Sequence, residues 1–80
     1  MRLDGKIAVV TGGARGLGQA MAESFANEGA QVIAADMGEL SYSHERVEGA
    51  LLNVADSNAC QEFYQGVIEK YGRIDILVNN

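Results

Sequence analysis

Apolar residues occur here in short unbroken runs, separated by stretches in which they recur every three or four positions. The first run, Ile7-Ala8-Val9-Val10, has no polar residue between its members, which predicts a strand over 6–11 buried on both faces. The spacing then changes to a helical one. Leu17, Ala20, Met21, Ser24 and Phe25 fall on one face of a helix predicted over 16–28, and Gly29 is placed to end it. Gln31–Asp36 reads as a second buried strand that ends on an acid. Residues 37–48 are polar and read as a loop or a single helical turn, followed by a third strand over 49–54. Asp56 is a suitable N-cap for the next helix, whose apolar face carries Cys60, Phe63, Tyr64, Val67, Ile68 and Tyr71. Gly72 ends that helix, and 74–79 is the fourth strand.

Apolar strands alternating with amphipathic helices predict an α/β fold: a parallel sheet with helices on both faces. Right-handed crossovers restrict the topology to the first half of a doubly wound, Rossmann-type sheet of strand order 3-2-1-4. No internal repeat or interdomain linker interrupts residues 1–80, which read as one half-domain.

The segment Thr11-Gly12-Gly13-Ala14-Arg15-Gly16-Leu17-Gly18 joins the first strand to the first helix. Gly12 suits a turn out of the strand, Gly16 a close approach of backbone to phosphate, and Gly18 close packing of helix on sheet. Strand before and helix after are the context in which such a turn binds a pyrophosphate. A P-loop is excluded, because Gln19-Ala20 stands where Lys and Ser or Thr would be needed. A methyltransferase loop, which also has an acid after the second strand, is the nearer rival, with glycines usually packed more tightly. A tight turn with no ligand is the remaining reading.

Asp36 lies eighteen residues after Gly18, at the carboxyl end of the second strand. A carboxylate there can accept hydrogen bonds from both ribose hydroxyls and would repel a 2′-phosphate, favouring NAD over NADP. Arg15, inside the glycine turn, points the other way, because a basic side chain there could reach a 2′-phosphate. It reads equally as an exposed loop arginine or a partner of Asp36. Met37, next to Asp36, is not basic. Asp36 has the more direct reach, and the expected cofactor is NAD.

Composition removes other classes. A formal charge of -5 without a basic block argues against nucleic acid. Cys60, the single cysteine, cannot form an internal disulfide, which suits a reducing compartment. The first residues do not form a signal peptide, and no apolar run is long enough to cross a bilayer. The expectation is a soluble cytoplasmic protein.

The combination of Thr-Gly-x-x-x-Gly-Leu-Gly over 11–18, Asp36, Asn53-Val54-Ala55-Asp56, and Gly-Arg-Ile-Asp-Ile-Leu-Val-Asn-Asn over 72–80 resembles the short-chain dehydrogenase/reductase family across essentially the whole chain. The resemblance implies hydride transfer between a nicotinamide cofactor and an alcohol or ketone. It implies that Gly12, Gly16 and Gly18 frame the pyrophosphate turn and that Asp36 holds the adenosine ribose; Arg15 and Leu17, between those glycines, are counted with them as expected cofactor-binding residues. Asn53 stands where the family usually has an aspartate contacting the adenine amino group. Its carbonyl can still accept that bond, without charge. Val54 would contact adenine, and Asn79 and Asn80 match the start of the Asn-Asn-Ala-Gly motif that borders the cofactor. The stretch between strands two and three is shorter than the family's usual one, with no room for a full crossover helix.

The family's catalytic group is a Ser, a Tyr-x-x-x-Lys pair and a supporting Asn. Four residues after Tyr42, Tyr64 and Tyr71 stand Arg46, Ile68 and Asp75, so none supplies the pair. Tyr64 and Tyr71 read as packing residues, His44 as a solvated loop residue, and Cys60 as a core residue without a partner base. The chain is therefore expected to be the cofactor-binding part of a longer, homo-oligomeric enzyme, ending before the catalytic group and inactive alone. A non-catalytic nucleotide-binding module and a non-binding remnant with an open strand edge are the alternatives.

Overall fold

The computed structural model describes residues 2–80. Four parallel strands form one sheet in the order β3-β2-β1-β4, from β1 (Ile7–Thr11), β2 (Gln31–Asp36), β3 (Val47–Leu51) and β4 (Ile76–Asn79). Helix α1 (Gly16–Asn27) joins β1 to β2, and α2 (Ser57–Tyr71) joins β3 to β4. This is the expected half of a doubly wound sheet.

β1 is central, and all five of its residues are buried. Its alternation divides the core in two. Ala8 and Val10 face one side, where they pack with Val32, Ala30 and the α1 residues Ala22 and Ala26. Ile7 and Val9 face the other, with Ile33 and Val67, flanked by Phe63, Tyr64 and Tyr71 of α2. One helix therefore covers each face.

The buried stripe of α1 is Gly18, Ala22 and Ala26, with Phe25 packed at its margin. It differs from the face expected from apolar spacing: Leu17 is 68% exposed, and Ala20 and Ser24 are also exposed. Small residues at four-residue spacing bring the helix axis close to the sheet, and larger side chains are displaced to its flanks.

The helix ends follow their local chemistry. Asp56 Oδ1 accepts from Ala59 N at 3.0 Å at the start of α2. Gly72 ends α2 with φ +87° and donates its N–H to Ile68 O at 2.7 Å. The left-handed backbone at that position is one that glycine adopts without a Cβ penalty.

The third strand corrects the sequence expectation. It runs Val47–Leu51 rather than 49–54, and residues 37–46 contain no helix. Pairing with β2 runs from Val32↔Val47 to Asp36↔Leu51, so β3 ends where β2 ends. Leu52 is buried but past the ladder, and Asn53 turns the chain by accepting Ala55 N on its side-chain oxygen at 3.0 Å. The fourth strand is also shorter than expected. Asp75 uses its carboxylate to accept Ile7 N at 2.8 Å before the regular ladder begins.

Candidate functional site

The carboxyl ends of β1, β2 and β4 meet at the glycine turn. Thr11 Oγ1 donates to Val78 O at 3.2 Å and accepts Asn80 N at 3.1 Å, tying the end of β1 to the end of β4. Asn80 Nδ2 donates to Gly12 O at 3.3 Å. A Cβ on Gly18 would collide with that same Gly12 carbonyl and lie 2.8 Å from Asn80 Nδ2. The close approach that Gly18 permits is thus to the turn and to Asn80, more than to the sheet. Asn79 pairs with Thr11 in the ladder and is exposed.

Gly16 behaves differently. Its φ is +61°, and a Cβ there would meet nothing within 4 Å. The glycine is required by the backbone, and the space above it is open. Gly16 also begins α1. Arg15, the N-cap, makes no side-chain cap hydrogen bond, and the first turn holds no acid. The first N–H groups of a helix have no intrahelical acceptor and carry the positive end of its dipole. An uncapped, acid-free helix start beside an open glycine favours an anion.

Asp36 stands at the end of β2 and reaches the turn. Oδ2 accepts Ala14 N at 3.0 Å and Oδ1 accepts Gly38 N at 3.0 Å. The N–H groups of Gly38 and then Ala14 hold its carboxyl below the ordinary carboxylate range, against desolvation, and Met37 N–H and then Arg15 add to the lowering. An ionised carboxylate has about four acceptor sites, so two accepted bonds leave capacity for a diol. Beside it is a cavity of about 260 Å³ lined by Ala14, Arg15, Asp36, Gly38, Glu39 and Ser41.

The structure thus brings Gly12, Arg15, Gly16, Gly18, Asp36 and Asn80 together. Leu17 is exposed in the first turn of α1. Asn53 and Val54 follow β3, two strands from the turn, and Val54 is 60% exposed.

Three residues of this site were not singled out by sequence reasoning. Gly13 packs so tightly on β2 that a Cβ would lie 2.8 Å from Ala34 Cβ. Tyr42 Oη donates to Gly13 O at 2.7 Å, and Ser41 Oγ lies 3.5 Å from Ala14 O. The signals available were the Gly12-Gly13 doublet and an aromatic residue inside an otherwise polar segment.

Tyr64 and Tyr71 pack on the α2 side of the core, as expected. Cys60 is half-buried, with Sγ 3.6 Å from Val54 O. His44 is more constrained than a solvated loop residue. Nδ1 accepts Arg46 N at 3.0 Å, which leaves the ring proton on Nε2 to donate to Asn27 Oδ1 at 2.9 Å. Among the described residues, no His, Cys, Asp or Glu group is arranged to hold a metal ion. Nor is any helix long and apolar enough to cross a membrane.

Residues 6–80 match the family described as short chain dehydrogenase. The whole chain aligns with 36% of the 3-oxoacyl-(acyl-carrier-protein) reductase FabG of Thermotoga maritima at 42% identity over 89 residues. It also aligns with 34% of the sorbitol dehydrogenase of Cereibacter sphaeroides, at 40% identity over 86 residues. The chain therefore spans about a third of the length of these curated relatives. Among solved structures, 98% of the chain superposes on 30% of ligand-free aldohexose dehydrogenase from Thermoplasma acidophilum, with a TM-score of 0.91 and 29% identity. All of it superposes on 36% of a short-chain dehydrogenase/reductase mutant from Serratia marcescens, with a TM-score of 0.85 and 34% identity. The glycine turn, the strand order and these similarities agree: the chain belongs to the short-chain dehydrogenase family.

Proposed function

We propose that this chain is the dinucleotide-binding part of an NAD-dependent oxidoreductase acting on an alcohol or ketone, with the catalytic group outside these residues. The observation that carries the NAD preference is Asp36. Its carboxylate is held in place by two backbone donors and borders a cavity at the carboxyl end of the sheet. A pyrophosphate fits the open space at Gly16 and the uncapped start of α1. Asp36 would accept the ribose hydroxyls, and Glu39 adds a second acid to the wall that a 2′-phosphate would face. Asn53 and Val54 would border adenine, while Leu17, Asn79 and Asn80 would line the path toward nicotinamide. The nicotinamide cofactor supplies the hydride chemistry, and the chain's own work is to bind, orient and discriminate. A cytoplasmic, homo-oligomeric enzyme with a small-molecule substrate completes the reading.

Calorimetric titration with NAD and NADP tests it. Asp36→Ala should weaken NAD binding about five- to thirty-fold, from loss of charge-assisted ribose hydrogen bonds. Disturbance of the turn weakens both cofactors together, whereas loss of the ribose contact lowers the NAD/NADP affinity ratio. An unchanged ratio refutes the assignment of Asp36.

A further inference from the structure

The peptide unit between Gly13 and Ala14 is held at both ends by side chains from the segment 36–42. Its carbonyl accepts the Tyr42 hydroxyl at 2.7 Å, and its N–H donates to Asp36 Oδ2 at 3.0 Å. A trans peptide is planar, with C=O and N–H directed oppositely, so these two bonds fix the orientation of the whole plane. Ser41 Oγ, 3.5 Å from Ala14 O, approaches the next peptide from the same segment. That next peptide carries Arg15 N–H, immediately before the uncapped start of α1. The Tyr42 ring is anchored in turn, because it packs against the core cluster of Ala8, Val10, Ala22 and Ala26. Desolvation first, and the carboxylates of Glu23 and Asp36 next, raise the Tyr42 pKa, so the hydroxyl remains a donor through the neutral range.

We infer that Tyr42 is a positioning residue for dinucleotide binding: its hydroxyl, through the Gly13 carbonyl, sets the direction of the N–H groups that receive the pyrophosphate. The inference rests on the dinucleotide reading of the turn. It makes the segment between β2 and β3 a working part of the phosphate site, although Tyr42 itself need touch no ligand. Preorganised donors bind an anion more tightly than donors that must be ordered on binding.

The test is Tyr42→Phe in the full chain, which keeps the ring in the core and removes only the donor. Tyr71→Phe is the control. It removes a tyrosine hydroxyl bonded to Glu48 on the opposite face of the sheet, at the far side from the turn. Isothermal titration with NAD, NADP and ADP should show Tyr42→Phe weakening all three about three- to ten-fold by a common factor. Tyr71→Phe should change each by less than about two-fold, within the ordinary scatter of remote surface changes. A common factor distinguishes a turn effect from a ribose effect, which would alter the NAD/NADP ratio. Independently of any ligand, the backbone amide resonances of Ala14, Arg15 and Gly16 should move in Tyr42→Phe and stay fixed in Tyr71→Phe. Unchanged affinities with unchanged amide resonances overturn the role of Tyr42 and leave the dinucleotide reading intact. A parent chain that is folded and binds none of the three nucleotides refutes the dinucleotide reading, and the inference falls with it.

Discussion

Gly13→Ala isolates the steric requirement of the turn from its conformational one. Gly13 has no positive φ, so alanine meets no backbone penalty there. What it meets is β2. The added Cβ would lie 2.8 Å from Ala34 Cβ, 3.1 Å from Ala34 Cα and 3.1 Å from Val10 O. Carbon atoms in contact rest about 3.5–4.0 Å apart, so turn and strand must separate by about 1 Å. Both are pinned. Gly12 N and Gly13 N donate to Ala35 O, and Gly13 O accepts Tyr42. Overpacking at such a point costs about 1–3 kcal/mol, and the reduced freedom of the unfolded chain returns about 0.4–1 kcal/mol. The net loss is centred on about 1.3 kcal/mol and reaches at most about 2.6 kcal/mol, and in a domain of this size each kcal/mol lowers Tm by about 4–8 °C. Urea denaturation followed by circular dichroism measures it, with the midpoint falling and the slope unchanged. The double variant Gly13→Ala/Ala34→Gly removes the Cβ–Cβ collision and should show a favourable coupling of at least about 0.5 kcal/mol. A single variant as stable as the parent, or a double variant without coupling, refutes the packing argument.

The opposite sign is expected at Gly66, in the middle of α2, where a Cβ would meet nothing within 4 Å. Gly66→Ala should stabilise the chain by about 0.5–1 kcal/mol, read as a higher urea midpoint, and a lower one counts against the helix as described. Acid should destabilise the chain through two carboxylates. Asp36 is held down by Gly38 N and Ala14 N, and Asp75 by Ile7 N and then Arg73. Folded-state values below the ordinary ~3.9 mean that their stabilisation is complete above about pH 4–5 and is lost as pH falls through the folded values. Urea midpoints measured from pH 7 to 2.5 should therefore fall in acid, less steeply for Asp36→Asn/Asp75→Asn. Identical slopes for parent and variant would remove both bonds from the account.

β1, β2 and the fold class were legible because burial on two faces leaves a plain mark, an unbroken apolar run such as Ile7-Ala8-Val9-Val10. The helix ends were legible at Asp56 and Gly72, where one residue type answers one local need. The α1 face was misread because hydrophobicity ranks Leu17 and Met21 above Gly18, Ala22 and Ala26, whereas close packing on a sheet favours the smaller side chains. The end of β3 was misread because Leu52 is apolar, buried and still donates its N–H to Asp36 O at 2.8 Å, yet it lies one residue past the last ladder pair. A strand stops where its partner stops, and that is a property of β2. Within the site, Gly16 and Asp36 followed from motif spacing. Gly13, Ser41 and Tyr42 did not, because their roles consist of contacts with backbone distant in sequence.

The segment between β2 and β3 shows how chain length forces one such contact. Parallel neighbours require the chain to travel back along the strand it has just completed, and β2 has six residues, about 20 Å. Ten residues, 37–46, make the return. As a helix they would span only about 15 Å, with nothing left for the two reversals. Extended, they reach about 33 Å, enough for both. The return is therefore irregular, and its side chains must cover what a helix would otherwise cover. Leu40 does so over Gly49, where a Cβ would lie 3.1 Å from Leu40 Cγ. Tyr42 does so against the Ala8–Val10 side of the core. A side chain that fills the core from this segment also places its polar end beside the glycine turn, and the Tyr42 hydroxyl meets Gly13 O there. A crossover without a helix thus places a direct strut on the glycine turn, so lengthening it by insertion should loosen the turn even where the sheet is unchanged.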